Sequence, residues 1–303
     1  MRFSETSLRS ASWVFDAMPL NYQALAAKTF SPIEHTYSER DTILYALSLG
    51  LGSADAGRDE LRYVYEANLR AFPTMAVIMG SPGPWYKDPE LDISWQYVVH
   101  GEQELTLLRD LPPSGTLICQ TSLDSVIDKG KDKGAIVYLK RRIHDKATGE
   151  PIAELRTSSF LRRDGGYAGP SASPLGAPVA APDRPADYQV ASATSDRAAM
   201  LYRLNGDMNA LHIDPGVAAK AGFPKPILHG LCTYGMAAVS VARAIGCDSN
   251  EISNISARFT APLYPGETVR TDIWKRDERS FVFGSHCVER ALVVLDNGHF
   301  TLK

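Results

Sequence analysis

The chain has few cysteines, no long apolar run and no excess charge of either sign. The cysteines, Cys119, Cys232, Cys247 and Cys287, lack the paired spacing of a metal site. We expect them to be small buried apolar residues of a protein in a reducing compartment. No window is long enough for a membrane span, and residues 1–16 lack the apolar core of a signal peptide. We therefore expect a soluble protein of the cytoplasm.

The charge balance bears on the partners that the protein can have. With 32 basic and 35 acidic residues, the formal net charge is −3. Such a balance favours neither nucleic acid nor an anionic membrane as the main partner. A chain of 303 residues with 44% apolar content can bury a full core, and its length predicts two domains or a duplicated one.

A weak internal repeat favours duplication. LPPSGTL at 111–117 and LYPGETV at 263–269 each place a Pro-Gly turn before strand-like segments. The predicted strands, connected as antiparallel meanders, cover 117–123, 134–144 and 151–161 in the first half and 268–275, 280–289 and 291–295 in the second. We place a first domain at 1–164, a linker rich in Gly, Pro, Ala and Ser at 165–185, and a second domain at 186–303.

The first half also contains a predicted core helix and two less regular segments. The helix begins near Ser38, Asp41 or Thr42 and ends at Gly50. Residues 61–66 alternate as in a strand, and the apolar segment 72–80 follows with a proline at its second position. These features predict a short helix against a sheet.

A polar loop in the second half carries the strongest chemical signal. Residues 202–212 read YRLNGDMNALH, in which Asn-Gly ends a short helix that Thr194 or Ser195 can cap. Asp207, Asn209 and His212 then share one tight loop. A carboxylate and an imidazole close together suit acid–base catalysis, and an amide can orient them. Asp, Asn and Gly are also ordinary turn residues, so a purely structural Asx turn is the competing interpretation.

The next segment predicts a buried helix. Residues 225–232 read KPILHGLC, and the run to Ile245 is apolar nearly all round, so other parts of the protein must surround it. Gly230 lies in the first turn, where its N–H has no intrahelical acceptor and a carbonyl oxygen can approach closely. We therefore predict that the N–H of Gly230 forms an oxyanion site. For His229 we favour a core or capping role over catalysis, and for His100 a structural role at a strand end.

The two segments together resemble the signature of the (R)-specific enoyl-CoA hydratases, the hydratase 2 or MaoC-like dehydratase family of hot-dog folds. That family has YRLSGDxNPLH followed by KPILHGLC. This chain departs from it at Asn205, where Ser or Thr is usual, and at Ala210, where Pro is usual. The missing proline is expected to loosen the loop and so to affect catalytic efficiency more than reaction type.

The resemblance implies an α+β double hot-dog fold of two antiparallel sheets, each wrapped around a helix, with a degenerate first repeat that accommodates the acyl chain. It also implies reversible hydration of trans-2-enoyl-CoA to (3R)-3-hydroxyacyl-CoA, with the CoA thioester as substrate, no cofactor, no metal, and a homodimer. Asp207, Asn209, His212 and Gly230 would then be catalytic. The candidate substrate-binding residues are Tyr202, Glu66, Lys225 and Arg258.

Two other functions remain open at this point. A hot-dog acyl-CoA thioesterase would also use a carboxylate and an oxyanion helix, although the Asp-x-Asn-x-x-His arrangement favours hydration. A noncatalytic acyl-thioester-binding protein is conceivable because Ala210 and the residues after Glu66 depart from the family pattern.

Overall fold

Antiparallel strands form the frame of the molecule. The computed structural model describes residues 20–53, 58–169 and 180–303. Within them ten strands make one sheet: β1 (Ile33–Tyr37), β2 (Val98–Leu107), β3 (Gly115–Asp128), β4 (Ala135–Asp145), β5 (Pro151–Leu161), β6 (Tyr188–Ala193), β7 (Ile252–Phe259), β8 (Thr268–Lys275), β9 (Ser280–Cys287) and β10 (Leu292–Leu302). Their order across the sheet is β1-β3-β4-β5-β2-β7-β10-β9-β8-β6.

The order of the strands repeats between the two halves of the chain. The first five positions, β1-β3-β4-β5-β2, come from the first half, and the last five are the same arrangement in reverse from the second half. In each half a helix precedes the innermost strand, and a meander of three strands follows that strand. The α+β class and the two meanders are confirmed.

The two expected antiparallel sheets are present, one from each half, and they are joined edge to edge. β2 pairs with β7 in an antiparallel ladder that runs from Glu102 opposite Arg258 to Thr106 opposite Asn254. Without this ladder, each half would leave a row of unpaired backbone N–H and C=O groups along one strand. The pairing satisfies those groups and makes one continuous sheet.

The described residues form one long buried α-helix and five shorter ones. They are α1 (Tyr22–Ala27), α2 (Glu39–Ser48), α3 (Leu61–Val64), α4 (Ala198–Tyr202), α5 (Pro215–Lys220) and α6 (Gly230–Ile245). Every residue of α6 from Cys232 to Ala242 is buried, which confirms the helix predicted from its apolar run. α2 begins where Asp41 accepts hydrogen bonds from the backbone N–H and hydroxyl of Ser38, as predicted.

The two core helices approach each other closely at Gly235. A Cβ atom at this position of α6 would lie 2.6 Å from Cδ2 of Leu49 and 3.1 Å from the hydroxyl of Tyr45. Both side chains are buried in the main apolar core, which contains residues of both halves. The absent side chain therefore allows α2 and α6 to share one core.

One predicted strand of the first half is a helix. Residues 61–66, expected to be extended, form α3 and its C-terminal cap. Tyr63 is buried and its ring packs edge-on against Phe72 with centroids 5.7 Å apart, while Arg62 bonds to Asp248 at 2.5 Å. These tertiary contacts override the alternation of a segment that is too short to specify its own structure.

Part of the predicted linker, residues 170–179, lies outside the described residues. The domain boundaries at 164 and 186 stay predictions. The described part of the chain contains no helix with the length and apolar character needed to cross a lipid bilayer.

Candidate active site

The polar loop is held in place from the side of α2. After α4 the chain makes a 3-10 turn, Arg203–Asn205, and Gly206 ends it with a φ of 112°, a value that glycine adopts readily. The side-chain amide of Asn205 donates to Ser48 Oγ at 3.1 Å and to the carbonyl of Tyr202 at 3.0 Å. Asn205, one of the two residues that depart from the family pattern, thus anchors the loop to the core.

Asp207 and Asn209 form the turn that the sequence suggested. The backbone N–H of Asn209 donates to Oδ1 of Asp207 at 3.2 Å, and Oδ1 of Asn209 accepts from the N–H of Leu211 at 3.1 Å. The Asx-turn and the catalytic interpretation are compatible, because the turn fixes an Asp207 side chain that remains exposed. The Nδ2 group of Asn209 is the part that can still donate to a water.

His212 is buried and has a defined tautomer. Its Nδ1 lies 2.9 Å from the carbonyl oxygen of Ile227, and a carbonyl only accepts, so Nδ1 carries the hydrogen and Nε2 has a free lone pair. Burial is the main reason why the pKa of His212 is lowered, although the bond to Ile227 and the charge of Asp207 oppose the shift. Near neutral pH the ring is uncharged and can act as a base.

His229 positions both acid–base residues. Its ring stacks on that of His212 with centroids 3.7 Å apart, and its Nε2–H donates to the backbone carbonyl of Asp207 at 3.2 Å. The ring of Tyr202 also packs on the ring of His229, with centroids 5.0 Å apart. Burial, with a further contribution from His212, lowers the pKa of His229 to about 4.

Gly230 follows directly as the first residue of α6, as predicted. The N–H groups of a first helical turn have no intrahelical acceptor and attract negative charge. A Cβ atom at Gly230 would come within 3.2 Å of the Phe259 ring, so a larger residue would crowd this ring. The exposed glycine therefore offers a donor beside the histidine pair.

The first half contributes two residues to the surroundings of Asp207. His100 on β2 packs against Phe259 with ring centroids 4.5 Å apart. The negative charge of Asp207 raises the pKa of His100, but burial has the larger effect and lowers this pKa to about 4. The same charge adds to the effect of burial in raising the pKa of Tyr86. The site therefore lies between the two halves.

Five of the predicted residues come together in this arrangement. They are Tyr202, Asp207, Asn209, His212 and Gly230. One ligand atom from each of Asp207, His212 and His229 lies within 4.8 Å of the others, so these side chains could also hold a divalent cation. Acid–base chemistry does not require one.

Three predicted binding residues, Lys225, Arg258 and Glu66, lie outside this group. Lys225 is exposed over the Tyr264 ring, 5.3 Å from its centroid, in the loop before α6. Arg258 is exposed on β7, and because neighbouring strand residues face opposite sides, it faces away from the site that Phe259 lines. Both therefore belong to the periphery of the site or to the outer surface.

Glu66 lies near the opposite end of α6. It follows α3, whose Arg62 bonds to Asp248 just beyond the C-terminus of α6. The sixteen residues of α6 separate that end from Gly230 by about 24 Å. The structure does not bring Glu66 to the acid–base residues.

His229 is the buried N-cap residue of α6, and His100 makes a backbone hydrogen bond with Glu102, as the sequence favoured. What sequence reasoning missed is that both lie beside the acid–base residues. For His229 a signal was present, since it directly precedes the predicted oxyanion glycine. For His100 the sequence contains no sign that β2 would meet the end of β7, because that pairing joins residues far apart in the chain.

Comparison with known proteins agrees with this geometry. Residues 178–297 match the family profile described as the MaoC like domain, and residues 35–163 match the MFE-2 hydratase 2 N-terminal domain. A Dictyostelium discoideum protein named "Probable enoyl-CoA hydratase 2" is 36% identical over 295 residues, 93% of this chain and 96% of that protein. The chain belongs to the hydratase 2, MaoC-like dehydratase family.

Other relatives and solved structures support the same assignment. An Arabidopsis thaliana protein named "Enoyl-CoA hydratase 2, peroxisomal" is 36% identical over 292 residues, 91% of this chain and 93% of that protein. The crystal structure of a MaoC-like dehydratase from Phytophthora capsici has a TM-score of 0.81 at 34% identity, covering 93% of this chain and 99% of that one.

The double hot-dog fold of this hydratase 2 family member is confirmed by structure comparison. A Mycobacterium tuberculosis protein described as having a double hot-dog fold superposes with a TM-score of 0.58 at 15% identity, covering 91% of this chain and 96% of that one. The family profiles fall on the first and second halves of the ten-stranded sheet.

Proposed function

We propose that this protein reversibly hydrates trans-2-enoyl-CoA to (3R)-3-hydroxyacyl-CoA. The observation that carries the proposal is the convergence of an exposed carboxylate, Asp207, with a buried neutral imidazole, His212, beside the first-turn amide of Gly230. The names of the relatives describe hydration of enoyl-CoA. The (R) configuration rests on the family signature in residues 202–232.

The proton transfers need only these side chains. In the hydration direction, the oxygen of a water bonds to C3 as the C2–C3 double bond opens. Nε2 of His212 accepts one proton of that water, while the Asp207 carboxylate accepts a hydrogen bond from the other. Asn209 donates to the water through Nδ2. The proton then passes from His212 to C2, which restores the neutral ring and completes the addition.

Negative charge builds on the thioester oxygen as water adds. The N–H of Gly230 is in the right part of the helix to donate to this oxygen, and the positive end of the α6 dipole adds to the stabilisation. One such donor contributes roughly 2.7–4 kcal/mol in a site from which water is excluded.

Substitution of Asp207 tests the proposal. Asp207→Asn keeps the size of the side chain and removes the negative charge that favours the protonated form of His212 during the reaction. We therefore expect hydration to fall by about 10²- to 10⁴-fold while a saturated acyl-CoA still binds. Loss of the enoyl-thioester absorbance measures turnover, and calorimetry measures binding.

Asp214→Asn is the matched control. Asp214 accepts from the N–H groups of Gly216 and Val217 at the start of α5, and asparagine caps a helix equally well. This variant should hydrate at the wild-type rate. Normal turnover by Asp207→Asn would remove the basis for the assignment.

The remaining features of the proposal concern the carrier and the setting. The phosphates of the thioester carrier would meet exposed Lys225 near the mouth of the site. Catalysis would proceed without a cofactor or metal, so activity should survive a chelator. We also propose a cytoplasmic homodimer, which subcellular fractionation and light scattering after size-exclusion chromatography would test; one relative's name places that relative in peroxisomes.

A further inference from the structure

A buried arginine in the first half has no acidic partner. Arg141 lies on β4 and only 7% of its surface is exposed. Its Nη2 donates to the carbonyl oxygen of Val77 at 2.6 Å, while its Nε is buried without a hydrogen-bond partner. Across residues 20–53, 58–169 and 180–303, no carboxylate lies within ion-pair distance of this guanidinium.

Such an arrangement is unfavourable unless something else binds there. Guanidinium has five N–H donors, and burial of an unpaired charge costs much more than burial of a paired one. Burial lowers the pKa of Arg141 only to about 10, so the side chain is still charged at neutral pH. The protein therefore keeps a cation with unused donors inside its first half.

Arg141 faces the inside of the fold. Every second residue of β4 from Ala135 to Ile143 is buried, and this set includes Arg141. Tyr138 is buried as well, whereas Arg142 is exposed and bonds to Glu154. A strand with this alternation places one set of side chains towards the core. Arg141 is the polar member of that set.

Arg141 is linked to the active site in two ways, by a series of contacts and by an electrostatic effect. Arg141 holds the 3-10 turn Pro73–Ile78 through Val77, and Thr74 of the same turn accepts from the Tyr45 hydroxyl at 2.9 Å. The Tyr45 ring lies 6.1 Å from that of Tyr202, which packs on His229.

The second link is electrostatic and involves β2. The Phe259 ring, which borders Gly230, packs on His100, and the charge of Arg141 contributes to lowering the pKa of His100. An acyl chain whose thioester oxygen meets Gly230 and which extends past Phe259 and His100 would enter the first half, to which Arg141 belongs.

We propose that Arg141 recognises a carboxylate carried by the acyl chain away from the thioester, so that the substrates include CoA thioesters of dicarboxylic acids. This inference rests on the proposed hydration and names its substrate class. A carboxylate would supply both the missing charge and acceptors for the unused N–H groups, in the two-point geometry that arginine favours.

A purely structural role would leave a different pattern. If Arg141 only caps the carbonyl of Val77, its replacement lowers stability and affects all acyl chains alike. Recognition of a carboxylate instead makes the effect depend on the group at the end of the chain. Pairs of substrates that differ only there separate the two roles.

The test compares trans-2-enoyl-CoAs of equal length that end in a methyl group or a carboxylate, across medium and long chains. At the length that reaches Arg141, we expect kcat/KM to favour the carboxylate. Arg141→Met should lower kcat/KM for the carboxylate by about thirtyfold or more and leave the methyl substrate within a few-fold. Arg141→Lys should recover part of the loss.

Arg142→Met is the matched control, since it removes a neighbouring exposed cation of the same strand. Preference for methyl at every length, or equal losses for both series in Arg141→Met, would overturn the inference. Calorimetry with the two saturated thioesters gives a reading without turnover. If neither series is hydrated, the proposed function fails, and the affinity ratio of wild type to Arg141→Met still decides the role of Arg141.

Discussion

At the scale of single residues, the stacked histidines explain how an exposed aspartate can be held for catalysis. Asp207 is held at two atoms: its backbone carbonyl accepts from His229, and its Oδ1 accepts from the N–H of Asn209. The carboxylate keeps acceptor capacity for a water. His229 is thus a positioning residue that acts through its neighbours.

Replacement of His229 should reduce turnover through position. His229→Ala removes the bond to Asp207 and opens space beside His212, so we expect kcat to fall by about 10- to 100-fold with little change in KM. With less burial, the pKa of His212 rises towards 6.5, and the acid limb of kcat/KM moves to higher pH.

His229→Gln provides the check on this interpretation, because its amide can donate to the same carbonyl. We expect it to recover part of kcat. A kcat and an acid limb that stay at their wild-type values in His229→Ala would show that the stacked ring does not position the pair.

At the scale of elements, the contact between α2 and α6 depends on one missing side chain. Gly235 would ordinarily weaken a helix by roughly 1 kcal/mol relative to alanine. Here a Cβ atom would overlap Leu49 and press on Tyr45, whose ring neighbours Tyr202. Close packing in the core outweighs helix propensity.

Gly235→Ala should therefore destabilise the protein by about 1–3 kcal/mol despite the better propensity of alanine. Urea unfolding measures the change. A double variant that also carries Leu49→Ala should be less destabilised than the sum of the two single variants, because the smaller side chain leaves room for the methyl group. Additive losses would place the strain elsewhere.

How far the sequence predicts this structure depends on the range of the interactions. The loop from Asn205 to His212 and the helix from Gly230 are specified by residues close in sequence, so both were predictable. The pairing of β2 with β7 and the burial of Arg141 result from contacts between distant segments. No local pattern reports such contacts. The helical structure of α3, whose residues alternate as in a strand, has the same cause.

At the scale of the whole molecule, buried histidines couple stability to pH. Burial lowers the pKa of both His100 and His229 to about 4, against 6.5 for an exposed histidine. Between these values the unfolded chain binds protons that the folded chain does not, so acid favours unfolding.

We expect the free energy of unfolding to be unaffected by these two groups above pH 6.5 and to decrease as the pH falls towards 4. The slope approaches about 1.4 kcal/mol per pH unit for each histidine. Urea unfolding at several pH values measures it. His100→Gln should reduce the slope in this window, and an unchanged slope would contradict the assignment for His100.

The two halves that meet at the pairing of β2 with β7 also have different functions in the enzyme. The groups assigned to bond making lie after β6, and the groups assigned to choosing the acyl tail lie before the end of β5. Exchange of the leading segment between homologues, with the crossover between β5 and β6, would then transplant tail preference onto unchanged chemistry.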